Sequence, residues 1–290
     1  MTDVIITILV ILCIFIMWVM LYDSNRFVVR RLELSDRRIK KPVRAVVLAD
    51  LHNKCYGKGN RMLLEAIREQ KPDMILIAGD ILTARPGKSP EPAIHFLCEL
   101  SKEFPVYYGN GNHEYRLKLY PQIYGSMAEE YGQALADMGI HPLVNSHVKL
   151  EDSGIKVYGA EIEKHYYKRF TRSRMEKEYL DQLLGIPDNG RYTVLLAHNP
   201  DYFPQYARWG ADLTVSGHVH GGVIRVPLLG RGVISPGLRL FPKYDGGIFK
   251  EDEAVMLLSR GLGMHTIPVR LFNPGELWVV DFGPEKPRES

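Results

Sequence analysis

The chain has 290 residues, of which 46% are hydrophobic and 24% charged, with a formal net charge of +3. That is enough apolar material for one globular domain of about 240 residues plus an appendage. Cys13, Cys55 and Cys98 show no metal-type spacing and Cys13 lies inside an apolar run, so neither a disulfide framework nor a zinc–thiolate cluster is supported.

The appendage comes first. Val4 to Leu21 carries no charge, and about 18 apolar residues is close to the minimum that spans a bilayer. Met1-Thr2-Asp3 has no positive charge and no small-x-small site follows the run, so a retained transmembrane anchor over residues 1–25 is expected; a cleaved signal peptide or a buried core helix are the competing readings. Residues 26–41 set Arg26, Arg30, Arg31, Arg37, Arg38, Lys40 and Lys41 against Glu33 and Asp36, a net of +5. The positive-inside tendency then predicts a single-pass protein of the cell membrane with its C-terminal domain in the cytoplasm, and residues 26–42 read as a basic juxtamembrane segment that touches anionic headgroups and leads into an edge strand. Residues 42–290 sum to zero charge, which argues against a nucleic-acid partner.

Strands are predicted over Phe27–Leu34 ahead of the body and, within the body, residues 43–290, over Val43–Ala49, Met74–Ala78 and Pro105–Tyr108, with helices over 59–70, Pro92–Lys102 and about 121–138. A strand within His141–Val148, a hairpin around Glu151–Ile162, a charged helix over 172–184 and buried strands at Tyr192–Ala197 and Asp212–Ser216 follow. Strand-like runs near 223–227, 254–258 and 276–282 suggest a second sheet. The class is α/β, a layered sandwich with an N-terminal transmembrane helix.

Five of the apolar strands end in metal-ligand residue types: Asp50-Leu51-His52, Gly79-Asp80, Asn112-His113, His198, and His218-Val219-His220. In open α/β sheets the loops at the carboxyl ends of strands form the ligand crevice, so ends scattered over 170 residues can converge. Alternation explains the single residue between Asp50 and His52, and between His218 and His220, because i and i+2 point the same way along an extended chain. Each fragment alone fits a turn cap or a core histidine. Five together, in this order, point to a metal site.

That order resembles the calcineurin-like metallophosphoesterases. The resemblance covers residues 43–283, and the N-terminal anchor, Gly109-Asn110-Gly111-Asn112-His113-Glu114, His198-Asn199-Pro200-Asp201 and Ser259-Arg260-Gly261-Leu262-Gly263 are most similar to the membrane-associated YkuE- and YaeI-type branch. It implies an α/β/β/α sandwich of two mixed sheets flanked by helices, and two divalent ions that activate water for in-line attack on a phosphoryl group. One ion would be held by Asp50, His52 and His220, the other by Asn112, His198 and His218, with Asp80 shared and His113 as general acid. Ligands without thiolate suit Mn²⁺, Fe or Zn²⁺. The implied substrate is a phosphomonoester, phosphodiester or pyrophosphate, on a small molecule or a lipid headgroup. Departures narrow this. Asp80 is followed by Ile81-Leu82-Thr83-Ala84-Arg85 where protein phosphatases of the superfamily have Asp-Arg-Gly, and soluble UDP-diacylglucosamine hydrolases carry Gly-Asn-Arg-Asp in place of Gly111-Asn112-His113-Glu114. A membrane-associated branch with that pyrophosphatase activity is more similar, and a scaffold that has lost catalysis is the alternative of another class.

Two further stretches are singled out. Residues 164–174 interleave Lys164, Lys168, Arg169, Arg172 and Arg174 with Tyr166, Tyr167 and Phe170, as a basic-aromatic lid or a solvated loop would. Residues 237–244 place Leu238, Leu240 and Phe241 beside a proline, as core contacts or as a rim facing a membrane or a substrate tail.

Overall fold

A computed structural model describes residues 1–168, 173–222, 224–226, 230–233, 240–264 and 269–285. The chain opens with α1 (Thr2–Ser24), apolar along its length and buried only at Val19, Asp23 and Ser24 in its last turns.

Two mixed sheets follow. The first runs β1 (Phe27–Asp36), β11 (Gly275–Pro284), β2 (Val43–Leu48), β3 (Met74–Ala78), β4 (Val106–Gly109). The second runs β5 (Ser146–Leu150), β6 (Ile155–Ala160), β7 (Tyr192–Ala197), β8 (Leu213–Ser216), β10 (Ala254–Leu258), β9 (Gly247–Glu251). The strands are interspersed in sequence with α2 (Arg61–Glu69), α3 (Glu91–Ser101), α4 (Asn112–Leu119), α5 (Pro121–Tyr124), α6 (Met127–Asp137), α7 (Tyr179–Leu184) and α8 (Phe203–Trp209).

Alternation builds the layers. Ala45, Val47 and Ala49 turn inward and meet Val157, Val194, Leu196 and Val215 of the second sheet. Val46, Leu48, Ile75 and Ile77 turn outward onto Leu63 and Ile67 of α2 and Phe96 and Leu97 of α3. On the opposite outer face Tyr158 and Leu195 pack against Leu180, Tyr206 and Trp209. Each fully buried Val, Leu or Ile contributes roughly 1.5–3 kcal/mol, so apolar pattern and register are fixed together. The register also decides where the residue just beyond each strand points.

Several elements differ from the sequence expectation. The helix expected over 121–138 breaks into α5 and α6 at Gly125, whose φ of 60° a helix cannot contain. The helix expected over 172–184 is confined, among the described residues, to Tyr179–Leu184. α4, α8 and β9 were not anticipated. The late strands do not form a sheet of their own: β10 pairs parallel with β8 in the second sheet, while β11 crosses to the first and lies between β1 and β2. Of the run 223–227, Ile224 and Arg225 form isolated bridges, and residues 223 and 227 lie outside the described residues. β1 sits at the sheet edge as expected, and most cations of the basic segment around it are in ion pairs. Arg26, Arg30, Arg31, Arg38 and Lys41 pair with Asp23, Glu276, Asp281, Asp36 with Asp212, and Asp152 respectively.

Candidate metal centre

β2, β3 and β4 are mutually parallel in the first sheet, as are β7 and β8 in the second. Their carboxyl ends meet at one rim of the sandwich. The loops after β2 and β3 stay bonded past the strands, with Asp50 N–H donating to Gly79 O at 3.0 Å and His52 N–H to Asp80 O at 3.0 Å. From the second sheet His198 arrives with Nε2 3.7 Å from Asp50 Oδ1 and 3.1 Å from Asp80 Oδ2.

Three overlapping groups result, each with its ligand atoms within 4.8 Å of one another: Asp50, His52 and His220; His52, Asp80 and His113; Asp80, His198 and His218. His52 Nε2 lies 3.2 Å from His220 Nε2, and His220 Nε2 lies 3.5 Å from Asp50 Oδ1. Asp80 belongs to two groups, its Oδ2 being 3.8 Å from His52 Nε2 and 3.1 Å from His198 Nε2. Asn112 opens α4 with its Oδ1 buried and without a hydrogen-bond partner. A buried polar atom left unpaired costs about 1–3 kcal/mol, which a cation at these lone pairs would offset. The residues present therefore fit a metal centre, and a donor set of carboxylate, imidazole and amide matches transition-metal or zinc preference.

The backbone is bent to make this possible. Asp50, His52, Asp80, His218 and His220 all take positive φ, between 50° and 75°, a region that side-chain-bearing residues occupy at a cost. Small neighbours fill in behind them: a methyl group on Gly111 would overlap Asp80 Oδ1, and one on Gly217 would overlap Asp50 Oδ2. His218 N–H donates to both Asp50 oxygens, at 3.1 and 3.0 Å, and His113 N–H to Asp80 Oδ1 at 2.8 Å.

Sequence reasoning quoted Glu114 but gave it no role. Fully buried beneath the site, its Oε2 accepts Asp80 N–H and Gly111 N–H, each at 2.9 Å, and its Oε1 accepts Ile81 N–H at 2.9 Å and the Tyr108 hydroxyl at 2.8 Å. One carboxylate thus ties the Asp80 loop to the turn that presents Asn112 and His113. The signal was the Glu that follows Asn112-His113 at the third position of a helix, where it can reach back to the turn. His113 itself is held by Ala84, whose N–H donates to Nδ1 at 2.8 Å. That leaves Nε2 as the protonated nitrogen of the neutral ring.

Burial and neighbouring charge set the ionisation. Burial pushes the Asp50 carboxyl up to about 7, with His198 pulling the other way. Asp80 faces the same burial but lies well below the usual carboxylate range, because His198 and His113 outweigh it. For His198 burial works against protonation, yet Asp80 and Asp50 raise it to about 10. Glu114 is lifted to about 7 by burial and then by the Asp80 charge.

The two singled-out stretches separate. Lys164–Tyr167 forms a single turn of 3-10 helix. Tyr166 packs inward on Tyr179 and Tyr202, while Tyr167 lies edge-on to His218 at 5.4 Å and 6.4 Å from His198. Tyr115, Leu119, Tyr120, Lys164, His165 and Lys168 line a cleft of about 480 Å³ on this side. Arg169, Phe170 and Arg172 lie outside the described residues, as does Leu238. Leu240 and Phe241 are exposed at 68% and 60%, whereas Tyr244 is buried against Phe203 and Phe249.

Comparison with known proteins gives a matching result. The family profile described as calcineurin-like phosphoesterase matches residues 43–222. The chain is 26% identical to the metallophosphoesterase YkuE of Bacillus subtilis, over 76% of this chain and 71% of that one. It is 25% identical to the Bacillus subtilis protein YpbG, over 90% of each chain. It is 22% identical to the UDP-2,3-diacylglucosamine pyrophosphatase LpxG of Chlamydia trachomatis, over 82% of this chain and 83% of that one.

Proposed function

The chain belongs to the calcineurin-like phosphoesterase family and is a metal-dependent phosphoester hydrolase, and we propose that it is a membrane-anchored, dinuclear member. Asp50, His52 and His220 would hold one divalent ion, Asn112, His198 and His218 the other, and Asp80 both. The observation that carries this reading is the place of Asp80, within 4 Å of His52 on one side and His198 on the other. Divalent ions bound by these residues supply Lewis acidity towards a phosphoryl group and a water molecule.

The rest is done by the chain. His113 lies beside the centre, its ring edge-on to His52 at 4.7 Å, with its tautomer set by Ala84 so that Nε2–H can be given to the departing oxygen. The buried rim excludes bulk water from Asp50, Asp80 and His198, each no more than 1% exposed. The substrate class is a phosphomonoester, phosphodiester or pyrophosphate.

The 23 residues of α1 extend about 34 Å at about 1.5 Å per residue, which matches a hydrocarbon layer of about 30 Å. Anchoring by α1 favours lipid-linked substrates, and the basic flank favours a cytoplasmic catalytic domain. The relation to a protein named UDP-2,3-diacylglucosamine pyrophosphatase favours a second reading within the same chemistry, cleavage of a pyrophosphate in a lipid-linked nucleotide.

The test is metal content and turnover of the full chain in detergent, with p-nitrophenyl phosphate, bis-p-nitrophenyl phosphate and UDP-2,3-diacylglucosamine as substrates. Two ions per chain are expected, with Asp80→Asn losing metal and turnover together. Full activity in Asp80→Asn refutes the arrangement. A reporter fused to the C-terminus checks the orientation, and an extracytoplasmic signal overturns it.

A further inference from the structure

The last turn of α1 enters the protein beside the metal centre. Asp23 and Ser24 are 2% and 9% exposed, whereas most of the helix is open. Arg26 holds Asp23 Oδ1 through Nε at 3.0 Å and Nη2 at 2.8 Å. The other oxygen, Oδ2, accepts Asn273 N–H at 3.0 Å. Asn273 is fully buried, and its side-chain amide donates to His220 O at 2.8 Å and to Gly222 O at 2.6 Å. A single residue therefore stands between the end of α1 and the backbone of His220.

A second tie lies alongside. Asn25 Oδ1 accepts Lys54 Nζ at 3.1 Å, on the loop that begins at His52. The two loops gripped by the helix end are thus those of His52 and His220, whose Nε2 atoms are 3.2 Å apart. A tether needs none of this. Burying a carboxylate at the end of an apolar helix is costly unless its hydrogen bonds are met, and here one of them is met by the residue that carries the His220 loop.

We infer that Asp23 is a positioning residue for His220, acting through Asn273, so that the N-terminal helix forms part of the support of the metal centre. The inference rests on the reading that His220 holds a metal.

The test uses the full chain in detergent micelles, with Mn²⁺ alone as the probe and free Mn²⁺ counted by electron paramagnetic resonance. Two ions are expected to bind the unaltered protein. Asp23→Ala should weaken one of them about tenfold and leave the other unchanged, as loss of a group supporting a ligand does. Asp23→Asn keeps an oxygen that can accept Asn273 N–H and should stay within about threefold of the unaltered protein, because the half-exposed pair with Arg26 is worth little. Equal affinities in Asp23→Ala and the unaltered protein overturn the inference, and so does an Asp23→Asn as weak as Asp23→Ala. Should circular dichroism show Asp23→Ala unfolded, Asn273→Ser takes its place, since it removes the amide that donates to His220 O and Gly222 O, with the same ion weakened expected and no change overturning the inference. An unaltered protein that binds no Mn²⁺ overturns the metal centre itself and this inference with it.

Discussion

Replacing Glu114 with glutamine tests whether one buried carboxylate sets the geometry of the site. Its two oxygens receive four backbone N–H groups, from Asp80, Gly111, Ile81 and, more distantly, Leu82, and the Tyr108 hydroxyl. Glutamine has one acceptor oxygen and one amine. With the amine at the Oε2 position, two N–H donors face two further donors; with it at Oε1, the Tyr108 hydroxyl can turn to accept but Ile81 N–H cannot. At least one buried N–H is then stranded, at a cost of about 1–3 kcal/mol. For a domain of this size that lowers Tm by about 2–12 °C, at roughly 2–4 °C per kcal/mol. The same shift moves Asp80 and His113 relative to His198, so Mn²⁺ affinity should fall about 10- to 100-fold. Thermal unfolding and Mn²⁺ titration on the same preparation read both effects. Unchanged Tm together with unchanged affinity refutes the idea that Glu114 holds the two loops in place. Glu114→Ala is the less useful variant, since it strands every donor at once and approaches the whole stability of a typical domain.

Two more outcomes follow from the site. His113→Ala should spare metal content and leave p-nitrophenyl esters nearly untouched, while slowing alkyl phosphates about 10²- to 10⁴-fold, since only a poor leaving group needs the proton; equal loss on both classes removes His113 as the acid. Metal affinity should rise with pH. With His198 held near 10, its imidazole carries a proton at neutral pH that a cation must displace, and Asp50 near 7 adds a second below neutrality. The slope is then about tenfold per pH unit between 7 and 10 and steeper below 7, and a flat profile by isothermal titration contradicts it.

Much of this was readable from residue order. The runs Val43–Ala49, Met74–Ala78 and Tyr192–Ala197 are so apolar and so short that strand is the economical reading, and their ends fall on Asp50, Asp80 and His198. α4 escaped because Asn112–Leu119 has almost no apolar face: its first turn is occupied by the site and its glutamate points inward. The destination of β11 escaped for a different reason. An alternating strand carries its two faces in its own sequence, but nothing in it names the neighbour, and β11 is covered on both sides by partners over 200 residues away in the chain. Asp23 was counted only as a charge at the end of an anchor. Its contact with Asn273 joins residues 250 positions apart, which no local pattern encodes.

The left-handed turns at Asp50, His52, Asp80, His218 and His220 have a consequence for anyone who evolves this protein. At each of them glycine would relax the backbone, by roughly 1 kcal/mol per position. Except where the side chain accepts a backbone N–H that the fold needs, as those of Asp50 and Asp80 do, a library selected for heat resistance alone would therefore drift towards glycine at residues proposed to hold metal. Robust variants obtained that way would be inert, and selection has to be run with turnover as a second requirement for the two properties to rise together.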